Sequence, residues 1–155
     1  MAMELHVLSD RRLKSVGEWQ RALDAAGFPL RLAADVELST ASGLVPAKLG
    51  NEETGFECYH DDAREMMRFL GGGNFDHDWT YALGFRWRGD FSELNAAWMA
   101  ATAYAEATGG IIFDHEEGRA FTPQEGRALV SKFLSDTPRL EALIEKIKRD
   151  FSTRP

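Results

Sequence analysis

Three of the four histidines stand among carboxylates: His60-Asp61-Asp62, Asp76-His77-Asp78 and Asp114-His115-Glu116-Glu117. Imidazole and carboxylate are the ligands of zinc, manganese and non-haem iron sites, so these positions carry the most metal-like chemistry in the chain. All three clusters fall at expected strand ends. His60 and Asp114 close their strands, whereas Asp76 to Asp78 precedes one. The three therefore converge only if the strand starting at Asp78 runs antiparallel to the other two. The spacing matches neither HExxH nor a paired HxH on a strand. The acids also have structural duties open to them, Asp61 as a helix cap and Asp78 and Asp114 in turns. A metal-dependent hydrolase using His60, Asp76, His77, Asp114 and His115 is thus the alternative reading, and the leading one needs no cofactor.

Other chemistry is thinner. Cys58 and His60 lie two apart on one strand and share a face, but their backbones stand about 7 Å apart and no helix terminus lowers the thiol pKa. A buried strand cysteine describes Cys58 better than a nucleophile does. Gly71-Gly-Gly73-Asn74 follows a helix and precedes a strand, the reverse of a phosphate loop, and no lysine follows it. Arg86 and Arg88 flank Trp87 where a strand reaches solvent, a weak anion patch.

The elements that must position these residues are marked by local signals. Ser15-Val-Gly-Glu18 is a capping box, after which Val16, Trp19, Leu23 and Ala26 recur at helical spacing until Gly27. Leu44 to Leu49 and Thr54 to His60 read as a hairpin through Gly50 to Glu53. Asp61 or Asp62 caps a helix that carries Met66, Met67 and Leu70 and stops at Gly71-Gly-Gly73. Between Asp78 and Arg88 the aromatic face Trp79, Tyr81, Leu83, Phe85 and Trp87 alternates with the small face Thr80, Ala82 and Gly84. Asp90-Phe-Ser-Glu93 caps a helix with no charge from Asn95 to Ala105, which should be buried. Its alanines fit the small face of that strand. Ile111 to Phe113 forms a strand with a return at Arg119 to Phe121. Thr122-Pro123 and Thr137-Pro138 each start a helix, the second with Leu140, Leu143, Ile144, Ile147 and Phe151 as one stripe. The expected fold is α+β: one domain spanning 1–155, with a mixed, mostly antiparallel sheet and about five helices.

Composition bounds the function. The chain has 155 residues with 18 Lys plus Arg against 25 Asp plus Glu, a net charge of −7. That balance opposes wrapping of nucleic acid, which needs a basic face. One cysteine excludes an intramolecular disulfide or a CxxC site. The first residues lack the uninterrupted apolar core of a signal peptide, and no apolar run reaches the roughly 20 residues of a membrane span. A soluble, cytoplasmic protein is expected. The charge is uneven: residues 35 to 62 hold seven acids and one base, Lys48, while residues 127 to 155 hold seven bases and four acids. A projecting hairpin with Glu52, Glu53, Glu57, Asp61 and Asp62 makes an acidic ledge suited to a basic protein partner.

The run Ala103-Tyr-Ala-Glu-Ala-Thr-Gly-Gly-Ile-Ile-Phe-Asp-His-Glu-Glu-Gly-Arg-Ala-Phe-Thr-Pro-Gln-Glu125 resembles a pattern in small bacterial proteins of unassigned function. Some of these look like immunity proteins of polymorphic or contact-dependent toxin systems, which bind and silence a toxin domain. The matching stretch is mostly structural, and no catalytic residue is carried over from it. The resemblance implies a non-enzymatic bacterial inhibitor whose acidic face occupies a basic toxin domain; a homodimer is compatible with it.

Overall fold

The structure is a computed structural model describing residues 2–71 and 75–152. In chain order its elements are β1 (Met3–Ser9), α1 (Val16–Ala26), β2 (Leu30–Leu32), β3 (Ser42–Leu49), β4 (Glu52–Asp61), α2 (Ala63–Phe69), β5 (Tyr81–Trp87), α3 (Phe91–Thr108), β6 (Ile111–Asp114), β7 (Arg119–Phe121) and α4 (Pro123–Ser152). The seven strands make one sheet in the order β2-β3-β4-β5-β1-β6-β7, and every pairing is antiparallel. The α+β expectation holds. Among the described residues no helix is long and apolar enough to cross a membrane.

Local chemistry sets most boundaries. Ser15 Oγ accepts the Glu18 amide at 3.1 Å, and Gly27 closes α1 in the left-handed conformation at φ 76°. Thr122 and Glu125 form a reciprocal capping box at the start of α4, with Oγ1 and Oε1 each taking the other's amide. β3 and β4 turn through Gly50-Asn51, a tighter link than the expected four residues, with Gly50 at φ 63°. The expected glycine stop of α2 lies partly outside the described residues; the helix itself ends at Phe69.

The core lies on one face of the sheet. Leu5, Val7, Phe56, Cys58, Phe85 and Trp87 meet Trp19 and Leu23 of α1 and Ala97, Trp98, Ala101 and Tyr104 of α3. Trp19 ties the two helices together by donating Nε1–H to the Ala100 carbonyl at 2.9 Å. Helix α3 thus rests on the aromatic face of β5, not on the small face as expected. The reason is area: its alanines leave room for Phe85 and Trp87 to fill the interlayer space, which removes more apolar surface from water than a close approach to Ala82 and Gly84. The small face meets a second cluster instead, Leu8, Ala63, Met67 and Ala82, and Trp79, expected on the aromatic face, packs beside it because β5 begins only at Tyr81.

Among the described residues the α-helix count is four, not about five. Thr137-Pro138 was expected to open a separate helix, but α4 runs through Pro138. An interior proline removes one donor and crowds the carbonyl four residues back. Helical sequence on both sides, and docking on α3 through Gly126 and the Asn95–Thr137 hydrogen bond at 3.3 Å, keep the axis continuous. Beyond Pro138 the apolar side chains Leu143, Ile144 and Ile147 are exposed.

Candidate functional site

The register of four strands builds a polar cluster on the sheet face opposite α3. In β1, Leu5 and Val7 enter the core, so Glu4, His6 and Leu8 face the other way. Gly84 of β5 stands between His6 on one side and Tyr59 of β4 on the other. A Cβ on Gly84 would come within 2.6 Å of the Tyr59 ring and 3.0 Å of His6 Nε2. Without one, the column above β5 is open, and both side chains lean into it. His6 Nε2 reaches Asp61 Oδ2 at 2.7 Å, although Asp61 pairs with Ala82 in β5, not with Gly84. On the far side of the ring, His6 Nδ1 lies 2.7 Å from Nε2 of His115, which follows β6. The Tyr59 hydroxyl donates to Glu4 Oε1 at 2.6 Å, and Arg86 Nη2 lies 3.5 Å from Glu4 Oε2.

Protonation follows from these contacts. An ionised Asp61 can only accept, so His6 donates from Nε2–H, and in the neutral ring Nδ1 carries the lone pair. Burial, with His6 only 2% exposed, lowers the pKa of His6 more than the Asp61 hydrogen bond raises it, and the neutral ring is favoured. For Glu4, burial raises the pKa, but the Tyr59 hydrogen bond and the neighbouring His6, His115 and Arg86 together outweigh it and leave the carboxyl below its ordinary value. Burial and the Glu4 hydrogen bond push the Tyr59 phenol up, so it stays a donor. The cluster opens into a cleft of about 490 Å³ walled by Asp62, Glu65, Met66 and Phe69. Ligand atoms of Glu4, His6 and His115 all lie within 4.8 Å of one another.

The three histidine clusters of the sequence do not meet. β4 and β5 are antiparallel, so His60 and Asp78 do share a sheet edge, but His60 has the parity of Phe56 and Cys58. Its Nε2 contacts the Leu38 carbonyl at 2.9 Å. His77 pairs with Asp10 at 2.7 Å and lines a separate cleft with Asp76, Asp78, Arg64 and Arg68. Asp114 is buried, accepts the Glu116 amide at 3.0 Å, and has its pKa raised by burial. Of the five candidate ligands only His115 enters the polar cluster, and the carboxylate beside His60, Asp61, enters in its place. Runs of neighbouring acids and histidines do not mark His6, Glu4 or Tyr59. Two signals mark them: a histidine inside the apolar run Leu5 to Leu8, and a glycine inside the aromatic strand. Cys58 is buried, and burial pushes its thiol far above the ordinary range.

The five acids of the ledge separate as well. Glu53, Glu57 and Asp61 share the cluster's face, Glu52 has the opposite parity, and Asp62 caps α2 by accepting the Glu65 amide at 3.0 Å. In the strand register Lys48 stands opposite Glu53, and Arg86 opposite Glu57, so opposite charges alternate across the face. There Arg31, Leu44, Pro46, Lys48, Glu53 and Glu57 are all exposed, Leu44 at 66%. Comparison of the chain with family models, curated proteins and solved structures finds no match.

Proposed function

We propose that the chain is a protein-binding module that seats a partner on the bare half of its sheet, over β2, β3 and β4, as an immunity-like inhibitor would. One observation carries this reading. Leu44 is 66% exposed at the head of a cross-strand row, Leu44–Glu57–Arg86–Glu4, on a face where α1 and α3 do not pack. With exposed Pro46 two residues along the same face, Leu44 offers a partner a small apolar seat, with burial supplying affinity and the alternating charges around it fixing register. Glu53 and Glu57 are the contacts within the patch, Glu52 lies at its turn, and Asp61 and Asp62 extend it toward the cleft. The acid excess of residues 35 to 62 favours a partner with a basic surface, a toxin domain in the first instance.

Co-expression with a basic toxin domain encoded beside this chain tests the reading. The wild-type chain restores growth, and Leu44→Asp and Glu57→Lys, both surface changes, reduce the rescue. No such neighbouring gene, or rescue indifferent to both substitutions, overturns it.

A further inference from the structure

We propose that Glu4, His6 and His115 bind one divalent transition-metal ion of the zinc class, at the edge of the protein-binding patch, whose cross-strand row ends at Glu4. The donor set is two imidazoles and one carboxylate, the ligands such ions take. Glu4 and His6 are two apart on β1 and share a face, and His115 arrives 109 residues later from the end of β6. The three ligand atoms fall within 4.8 Å of one another.

What separates this cluster from an ordinary polar patch is the shell behind it. A metal-bound histidine usually gives its second ring N–H to a carboxylate, which fixes the tautomer and aims the remaining lone pair. His6 does so: Nε2 faces Asp61 Oδ2 at 2.7 Å, leaving Nδ1 toward His115 and Glu4. Glu4 is held in the same way, by the Tyr59 hydroxyl at 2.6 Å and by Arg86. Gly84 makes both arrangements possible, since a Cβ there would meet Tyr59 and His6.

Two imidazole nitrogens on one tetrahedral zinc stand about 3.3 Å apart, given Zn–N distances near 2.05 Å. The 2.7 Å between His6 Nδ1 and His115 Nε2 therefore has to open slightly. His115 can supply that movement, because it follows the last residue of β6 and is half-buried, whereas His6 is locked in the sheet. Three protein ligands leave a coordination position facing the cleft of about 490 Å³. Without an ion, the same atoms form a hydrogen-bond chain in which His115 Nε2–H donates to His6 Nδ1. The chain and the ion compete for one lone pair.

The test uses full-length untagged protein stripped with a chelator and titrated calorimetrically with zinc chloride. One ion per chain and a raised melting temperature are expected. His115→Gln, at a half-buried position, abolishes the tight site. Asp61→Asn keeps every proposed ligand and weakens binding about 10- to 100-fold. His60→Gln and His77→Gln leave affinity unchanged. Cobalt(II) in place of zinc gives visible absorption bands that His115→Gln removes. No stoichiometric binding by folded wild-type protein up to about millimolar zinc, or affinity indifferent to His115→Gln, overturns the proposal.

Discussion

His6 meets Asp61 across Gly84, Nε2 to Oδ2 at 2.7 Å, a diagonal contact between two strands that are not neighbours. It exists because the intervening strand presents no side chain at that point. Gly84→Ala places a Cβ 2.6 Å from the Tyr59 ring and 3.0 Å from His6 Nε2, so one of the two must move. Denaturant unfolding should show a loss of about 1–3 kcal/mol, the usual cost of overpacking. Imidazole nitrogen NMR should show the His6–Asp61 hydrogen bond broken.

The burial of His6 gives the protein a pH dependence of defined sign. Burial lowers His6 relative to an unfolded histidine of pKa about 6.5, and Asp61 only partly opposes this. Between the two values the unfolded chain holds a proton that the folded chain does not, so stability rises with pH. It is fully present above about pH 6.5 and is lost as pH falls toward the folded value. The slope from this one group is at most about 1.4 kcal/mol per pH unit. Unfolding measured between about pH 7 and pH 5 should be less pH-dependent in His6→Gln. In Asp61→Asn the raising partner is gone and the loss should extend to lower pH.

Cys58 should be silent in the native protein. It is buried in the main core, and burial holds the thiol well above its ordinary range, so little thiolate forms at any pH where the fold persists. A colorimetric disulfide reagent at mildly alkaline pH should react at least about 100-fold more slowly with folded than with denatured protein. Rapid labelling of the folded chain would contradict the packing described for β4.

How much of this was legible depends on the range of the signal. Caps and stops act within one turn, so Ser15, Gly27, Asp90 and the helix start at Thr122-Pro123 are legible directly. Strand parity is also local, and it placed Phe85 and Trp87 on one face and Ala82 and Gly84 on the other. Which face the helix chooses is not local, and small residues on a strand do not decide it. The polar cluster is non-local in the same way. His60 and Asp61, neighbours in sequence, point to opposite faces of β4, and the residue that joins His115 is a solitary histidine 109 positions away. Only the order β4-β5-β1-β6 brings Asp61, Gly84, His6 and His115 into line.

Pro138 supplies the last prediction, because it is where a local rule gave the wrong element. Its ring denies the helix one backbone donor and crowds the Leu134 carbonyl, yet α4 continues to Ser152. Alanine is about 3 kcal/mol more favourable than proline in a helix interior. Most of the contacts that anchor α4 on α3 precede this point, while Leu143, Ile144 and Ile147 beyond it are exposed. Pro138→Ala should therefore act on the terminal turns more than on the global transition. Native-state amide exchange in residues 139–150 should slow by about tenfold or more, with a smaller change in the denaturation midpoint. Unchanged exchange there would mean that the proline costs this helix nothing, and that the terminal turns are held by contacts other than their own backbone ladder.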